Sequence, residues 1–190
     1  IVFIPIKKQS ERVPNKNFRQ LKGLPLWKHC IEKLKKYNVY IDTDSDEIIN
    51  ESKAYSYVTC YKRDSNLIGN GTPVTDLIKH FINLFNIKLP ICQIHVTSPF
   101  LNTKHIDQSF DILMHTDYDS VFGATKVQKR FWTEDIKPIN HDPKILLPTQ
   151  ELEPWYEENS YLYTFWPKVI KEYNNRISEN CCTIEIGHPY

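Results

Sequence analysis

Glycine is scarce in this chain, with 5 among 190 residues. The glycine-rich loops that bind phosphates are correspondingly missing: neither the G-x-x-x-x-G-K-[S/T] loop nor the G-x-G-x-x-G turn occurs. The sequence also lacks the G-x-S-x-G turn of α/β-hydrolases and the H-E-x-x-H pair of zinc peptidases. These absences exclude P-loop nucleotide binding, a conventional dinucleotide site and two common hydrolytic sites.

The chain also has no excess of charge of either sign. It has 24 Lys and Arg residues against 23 Asp and Glu residues, a formal net charge of +1. So small a charge gives no general attraction to nucleic acid or to an anionic membrane, and any anion site must therefore be local. No apolar run has the length of a transmembrane helix, and residues 1–6 are too short for the core of a signal peptide. We expect neither a nucleic-acid partner nor a membrane.

The five cysteines are odd in number and lack the spacing of metal ligands: Cys30, Cys60, Cys92, Cys181 and Cys182. They are scattered, mostly in apolar surroundings. This is typical of reduced thiols in a cytosol-like compartment. The sequence therefore predicts a cytoplasmic protein without a disulfide framework.

Two apolar periodicities alternate along the chain. Short apolar runs predict strands at residues 1–6, 39–41, 57–61, 91–96, 119–127, 159–165 and 181–186. Helical patterns separate most of them, and the strongest covers residues 73–85. This alternation predicts one domain with a three-layer, doubly wound αβα architecture around a mostly parallel sheet. The alternation of strand and helix patterns stops at residues 128–158, which are rich in proline, tryptophan and charge. We interpret that segment as an active-site lid or an arm packed on a partner subunit.

A basic loop follows the first strand. It contains Lys7, Lys8, Arg12 and Lys16, with serine and asparagine between them. Open α/β sheets bind ligands outside the carboxyl ends of their strands, and cations with small hydrogen-bonding side chains suit a polyphosphate. The alternative is a solvated basic turn, which composition alone permits.

An acidic cluster follows the second strand. Its start resembles a calcium loop, but Glu47 and Lys53 occupy the positions where such a loop needs glycine and glutamate. Asp42 and Asp44 form a D-x-D pattern, which many glycosyltransferases use to hold a metal-nucleotide. Serine and aspartate are also the usual residues at a helix start, and a helix is predicted over residues 46–55.

Five segments in order along the chain resemble the acylneuraminate cytidylyltransferases, the CMP-sialic acid synthetases, and their relatives that activate 3-deoxy-octulosonate. Ser10, Arg12, Pro14 and Lys16 match the S-x-R-x-P-x-K motif of the latter. Residues 40–48 are similar to the strand that ends in S-T-D-D-x-E-I, and Arg63 with Leu67 to R-x-x-x-L. Residues 96–101, with the I-D pair at 106–107, resemble P-T-S-P-L/F, and residues 156–163 resemble Y-x-E-N-G-x-x-Y.

The resemblance implies a Rossmann-like nucleotidyltransferase domain over residues 1–190, with residues 128–158 as a dimerisation arm of a homodimer. It implies the formation of a CMP-sugar and pyrophosphate from CTP and a sialic-acid-like (nonulosonic) sugar acid, with Mg²⁺. The residues carried over are Lys7, Ser10, Arg12 and Lys16 at the triphosphate, Asn17 and Arg63 at the nucleotide, and Thr97 and Ser98 near the reacting groups. Lys7, Arg12 and Lys16 are the expected catalytic cations. For Arg63, a simple ion pair with Asp64 is the alternative.

The chain also departs from the family pattern. Lys7 replaces a usual arginine, and His95 replaces a usual glutamine; we interpret His95 as a bonded strand-end histidine rather than a general base. The metal-binding I-D-I-D is reduced to Glu185, because Gly187 has no side chain. Pro148 stands where the family has the arginine of R-x-Q-D-L, so the acceptor need not be sialic acid itself. Two alternatives remain: a non-catalytic nucleotide-binding or assembly protein with a decayed metal site, and a D-x-D glycosyltransferase.

Overall fold

A single seven-stranded sheet organises the chain in the computed structural model, which describes residues 1–10, 13–69 and 71–187. The strands of the sheet are β1 (Val2–Ile6), β4 (Val39–Thr43), β5 (Val58–Lys62), β6 (Ile91–Ile94), β7 (Ser120–Val127), β8 (Trp155–Phe165) and β9 (Cys181–Glu185). A separate small hairpin consists of β2 (Gln20–Leu21) and β3 (Leu24–Pro25). The helices are α1 (Leu26–Glu32), α2 (Asp46–Ser52), α3 (Val74–Leu84), α4 (Thr103–His115) and α5 (Pro167–Tyr173).

The order of the strands across the sheet is β5-β4-β1-β6-β8-β7-β9. β1 pairs in parallel with β4 and β6, β4 with β5, and β7 with β9. Only β8 is antiparallel to both of its neighbours, β6 and β7. The expected mostly parallel sheet is therefore confirmed, and the carboxyl ends of six strands lie along one edge.

The helices cover both faces of the sheet. One core cluster joins Val2, Ile4 and Ile6 of β1 to residues of α1, α2 and α4. A second cluster joins Phe3, on the opposite side of the same strand, to residues of α3 and α5. These four β1 side chains are fully buried, so the apolar run at the start of the chain is explained by burial on two faces rather than one. This confirms the three-layer αβα architecture.

Helix starts agree with the local sequence signals. Ser45 caps α2, its Oγ accepting a hydrogen bond from the Ile48 N–H at 3.4 Å. Asp46 and Glu47 occupy the first turn, where carboxylates are favoured by the helix dipole. The capping interpretation of the acidic cluster is confirmed.

Two features differ from the expectation. The β2–β3 hairpin was not predicted, because strands of two residues carry no periodicity. β8 begins at Trp155 rather than at residue 159, because its first residues pair with the end of β7, as in Val127 opposite Trp155. The irregular segment between β7 and β8 is thus residues 128–154. No helix in the described ranges has the length and apolarity needed to cross a bilayer.

Gly123 provides a test of how β7 packs. A Cβ added there would lie 2.8 Å from Asn159 Oδ1 and 3.0 Å from Ile186 Cδ1. Asn159 holds the end of the chain after β9, donating from Nδ2 to the Ile186 carbonyl at 3.1 Å. We predict that Gly123→Ala lowers the free energy of unfolding by about 1–3 kcal/mol, measured by urea denaturation. Gly187→Ala is the matched control, since a Cβ there meets no atom within 4 Å, and equal midpoints for the two variants would contradict this packing.

Candidate active site

A cavity of about 300 Å³ opens where β1 and β6 end. The chain adds β4 and β5 on one side of β1 and then crosses to place β6 on the other side. Such a point of reversal leaves a crevice outside the carboxyl ends of the strands, which is where open α/β sheets bind ligands. The lining residues are Pro5, Lys7, Gln9, Ser10, Lys16, Asn17, Arg63, Thr72, Val74, Leu77, His95, Val96 and Thr97.

Most of the predicted nucleotide-binding residues meet in this cavity. Six of them line it: Lys7, Ser10, Lys16, Asn17, Arg63 and Thr97. They come from three separate segments of the chain: the loop after β1, the end of β5 and the turn after β6. Arg12 lies outside the described residues. Ser98 is buried and is not part of the lining.

The loop after β1 is folded back by one amide. Asn17 is buried, and its Nδ2 donates to the Lys7 carbonyl at 2.8 Å. Asn15 takes a left-handed conformation with φ 53° before the 3₁₀ turn Lys16–Phe18. Lys7 and Lys16, nine positions apart, are thereby brought to the same cavity. Within the described residues, neither ammonium group is paired with a carboxylate.

Arg63 has a different partner from the one considered for it. Its Nε forms a fully buried ion pair with Asp42, and its Nη2 donates to the Asp42 carbonyl oxygen at 3.2 Å. Asp64 instead caps the following turn by accepting from the Asn66 N–H. Burial raises the pKa of Asp42, and the Arg63 guanidinium partly opposes that rise. The charge of Arg63 is therefore largely neutralised before any ligand enters the cavity.

The same pair bears on the D-x-D alternative. The Asp42 carboxylate is engaged by Arg63 in the interior, and Asp44 Oδ1 accepts from the Lys8 N–H at 2.6 Å. The two carboxylates have separate partners and different environments, one buried and one half-exposed. This geometry does not support a shared metal-nucleotide site at the D-x-D residues.

The turn after β6 is held by a lysine from α1's carboxyl-terminal side. Lys33 Nζ donates to the carbonyl oxygens of Ser98, Pro99 and Leu101 at 3.3, 3.0 and 2.9 Å. Burial lowers the pKa of Lys33. The arrangement leaves Thr97 exposed at the cavity and places Ser98 inside the fold. Because Ser98 is buried and is not part of the cavity lining, its role as a ligand-binding side chain stays a prediction.

His95 is bonded at the end of β6, as the sequence suggested. Its Nε2 lies 3.2 Å from Gln93 Nε2. Burial, with smaller contributions from the positive charges of Arg176 and Lys16, lowers the pKa of His95 to about 4. The imidazole is therefore neutral at pH 7, and so weak a base is poorly suited to remove a proton from a substrate hydroxyl.

Three features of the cavity were missed in the sequence. Gln9 and Thr72 contribute polar side chains to its lining, and the amino-terminal end of α3 contributes Val74 and Leu77. Helix amino termini favour anions through their exposed N–H groups and the helix dipole. The sequence signal for the amino-terminal end of α3 was the Thr72-Pro73 pair ahead of a strongly periodic segment, which is a typical helix start.

Comparison with known proteins agrees with this geometry. Residues 1–179 match the profile of the family described as cytidylyltransferase. The chain belongs to the cytidylyltransferase family. N-acylneuraminate cytidylyltransferase A of Danio rerio is 26% identical over 174 residues, which cover 86% of this chain and 40% of that protein. Pseudaminic acid cytidylyltransferase of Campylobacter jejuni is 24% identical over 147 residues, covering 71% and 63%.

This cytidylyltransferase-family chain thus spans about two-fifths of the length of the Danio rerio relative. A solved structure of CMP:2-keto-3-deoxy-manno-octonic acid synthetase complexed with CTP superposes with a TM-score of 0.71. It is 12% identical, and the match covers 99% of this chain and 90% of that chain. The likeness to that structure shows the shared fold.

The predicted metal ligand is not brought into the cavity. Glu185 is the exposed last residue of β9, three strands from β6 and hence about 14 Å away across the sheet. The ranges covered by the structure contain no group of three or more His, Cys, Asp or Glu side chains that would hold a metal. The protein side chains alone therefore do not fit a preformed Mg²⁺ cage. Glu185 does lie at the same edge of the sheet as the cavity, since β9 runs parallel to β7.

Because the Arg63–Asp42 ion pair is buried, we predict that substituting Arg63 lowers the free energy of unfolding far more than substituting its neighbour Lys62. Arg63→Gln leaves the Asp42 carboxylate buried without a cation and should cost about 3–5 kcal/mol of unfolding free energy. Lys62→Gln removes an exposed pair with Asp46 and should cost less than about 1 kcal/mol. In the double variant Asp42→Asn/Arg63→Gln, much of the loss should be recovered. Urea denaturation at pH 7 measures all three, and an Arg63→Gln cost no larger than that of Lys62→Gln would refute the assignment.

Proposed function

We propose that this chain transfers the CMP group of CTP to a sialic-acid-like, nonulosonic sugar acid and releases pyrophosphate. The observation that carries the proposal is the meeting of Lys7, Ser10, Lys16, Asn17, Arg63 and Thr97 in one cavity at the reversal point of the sheet. Membership of the cytidylyltransferase family supports the choice of CTP. The substrates themselves are part of the proposal.

The reaction needs positioning and charge stabilisation more than covalent catalysis. A sugar hydroxyl attacks the α-phosphorus in line with the departing pyrophosphate, and negative charge grows on the leaving group. Lys7 and Lys16, which no described carboxylate neutralises, are placed to stabilise that charge. Arg12 is proposed as a third cation on the strength of the motif. We propose that Asn17 stabilises the loop through its hydrogen bond to the Lys7 carbonyl. Arg63 lines the cavity while its guanidinium is paired with the buried Asp42.

The acceptor is proposed at the level of chemical class. By name, the relatives are an N-acylneuraminate cytidylyltransferase and a pseudaminic acid cytidylyltransferase, and both of those acids are nonulosonic acids. Pro148 of this chain lies in the segment where the family motif has an arginine. We therefore propose an acceptor of this class without assigning it to sialic acid.

Mg²⁺ is proposed as an ion bound mainly by the phosphates of CTP. Magnesium sites often use only one or two carboxylates together with phosphates and water. Glu185 is the candidate carboxylate, since it lies at the same sheet edge as the cavity. Bound Mg²⁺ would neutralise charge on the triphosphate. The absence of a side chain at Gly187 favours the second candidate function, a nucleotide-binding protein that no longer catalyses the transfer.

Residues 128–154 are proposed as a dimerisation arm of a single-domain protein. Large apolar side chains of the arm face solvent, including Ile136 at 73% and Leu146 at 91% exposure. The arm is nevertheless ordered by its own polar contacts: Gln128 Nε2 donates to the Gln150 and Leu152 carbonyls at 3.2 and 3.0 Å. An ordered segment with an exposed apolar surface is typical of a subunit interface.

We also propose a cytoplasmic location, because all five cysteines are unpaired thiols.

The principal test is a pyrophosphate-release assay with CTP and a panel of nonulosonic acids. We expect CTP-dependent release with at least one acceptor, and a loss of about 100-fold in kcat/KM for Lys16→Ala. Lys35→Ala, an exposed lysine away from the cavity, should retain full activity. Glu185→Gln should raise the Mg²⁺ concentration for half-maximal rate about tenfold.

The outcomes separate the candidate functions. Thermal stabilisation by CTP without pyrophosphate from any acceptor would favour the non-catalytic alternative. Failure of CTP to bind at all would refute both. Equal rates for Lys16→Ala and Lys35→Ala would remove Lys16 from the mechanism.

The arm makes a separate prediction about assembly. Ile145→Asp/Leu146→Asp places two charges on the exposed apolar surface and should convert a dimer into a monomer, measured by sedimentation at micromolar concentration. Leu84→Asp/Leu89→Asp is the matched control, because these two leucines are also exposed but lie outside the arm. A monomeric wild-type protein would contradict the proposal.

A further inference from the structure

A chain of polar side chains runs beside the cavity on the α3/α5 face of the sheet. Gln93 is fully buried in β6 and lies opposite Tyr163 of β8. Arg176, from the segment after α5, donates from Nη1 to Gln93 Oε1 at 2.5 Å. Gln93 Nε2 lies 3.2 Å from Nε2 of His95, which lines the cavity. The order of contacts is therefore Arg176, Gln93, His95 and then the cavity.

The direction of these hydrogen bonds follows from which groups can donate. A guanidinium has donors only, so Gln93 Oε1 must accept from Arg176. The other end of the same amide is then the NH₂ group, which donates to the Ile94 carbonyl at 3.2 Å and to His95. His95 Nε2 must accept. A neutral imidazole with Nε2 as acceptor carries its proton on Nδ1.

Arg176 is itself held firmly. Its guanidinium carbon lies 3.6 Å from the centre of the Tyr163 ring. The Tyr163 hydroxyl donates to Glu158 Oε1 and lies 3.0 Å from Ser160 Oγ. These contacts come from β8, whereas Gln93 comes from β6. The orientation of the Gln93 amide is therefore imposed by two neighbouring strands and the segment after α5.

The charges around His95 favour the neutral form. Burial and the nearby cations Arg176 and Lys16 all lower its pKa, and the nearest carboxylate of the network, Glu158, is engaged by Tyr163. A neutral histidine in a cavity with Lys7 and Lys16 adds a directed hydrogen-bond donor without adding a third full charge.

We propose that Arg176 is a positioning residue which, through Gln93, holds His95 in its Nδ1–H tautomer, so that His95 donates a hydrogen bond to an anionic oxygen of a substrate in the cavity. The inference rests on the proposed function for the identity of that substrate. The oxygen belongs either to a phosphate of CTP or to the carboxylate of the sugar acid. His95 is then a donor rather than a base.

The tautomer can be measured without any substrate. In protein labelled with ¹⁵N-histidine, long-range ¹H–¹⁵N correlation spectra distinguish a protonated Nδ1 from a protonated Nε2. We expect His95, assigned by the signals lost in His95→Gln, to be the Nδ1–H form at pH 7. An Nε2–H form or an imidazolium in the wild-type protein overturns the inference whatever the enzyme's activity.

Three variants test whether Arg176 acts through Gln93. Gln93→Glu replaces the amide with a carboxylate that only accepts, so His95 should change to the Nε2–H form or become protonated. Arg176→Gln removes the fixed donor and should give a mixture of tautomers. Arg176→Lys retains a donor-only group and should keep the Nδ1–H form. The same tautomer in Arg176→Gln and the wild-type protein, both folded by their amide spectra, would show that Arg176 does not set it.

The substrate contact is tested by adding CTP, and separately sialic acid, to the labelled protein. The His95 Hδ1 signal should move with the ligand whose oxygen it contacts, and kcat/KM of Gln93→Glu should fall about 10–100-fold. An unmoved signal with both bound ligands, or a Gln93→Glu rate within twofold of wild type, overturns the donor role. If the tautomer is as expected but the wild-type protein neither binds CTP nor releases pyrophosphate, the proposed function fails. The inference that Arg176 sets the His95 tautomer through Gln93 is then retained.

Discussion

The position of β1 between two parallel neighbours is the constraint on which the site depends. β4 pairs with one edge of β1 and β6 with the other, and helices cover both faces of the sheet, so β1 is enclosed along its length. The loop that follows Ile6 therefore begins beside the end of β6, at the point where the strand order reverses. The loop after β1 and the turn after β6 therefore face each other across a crevice. Lys7, Ser10 and Lys16, the described residues proposed to hold the triphosphate, depend on that topology.

Hydrogen bonds and an ion pair between buried polar groups stabilise the segments that surround the crevice. Buried donors and acceptors need partners, because an unpaired polar group in the interior costs several kcal/mol. Asn17 ties the basic loop to Lys7, Arg63 is paired with Asp42, and Lys33 holds three carbonyls of the turn after β6. At the opening, Lys7 Nζ donates to the Gly69 carbonyl at 2.9 Å, and no carboxylate of the described residues pairs with Lys7 or Lys16. A neutral His95 also lines the cavity.

Local patterns in the sequence were sufficient for most elements of the fold. The helix predicted over residues 73–85 is α3, Val74–Leu84, and Ser45 caps α2 as its position suggested. Both signals are local, because capping and periodicity act within a few residues. The extended start of β8 and the β2–β3 hairpin were not predictable in this way. Their pairing partners lie elsewhere in the chain, and strand pairing is stabilised by those partners rather than by local preference.

By itself, the sequence determined the α/β class, the basic loop and the order of motifs that relate the chain to cytidylyltransferases, since these depend on residue identity and local spacing. The tertiary structure alone decided which of the candidate side chains meet. It turned Ser98 inward, paired Arg63 with Asp42 rather than Asp64, and left Glu185 three strands from the end of β6. It also joined Arg176 to His95 through Gln93, residues up to 83 positions apart. Contacts of that range depend on how the sheet is assembled, and no local pattern encodes them.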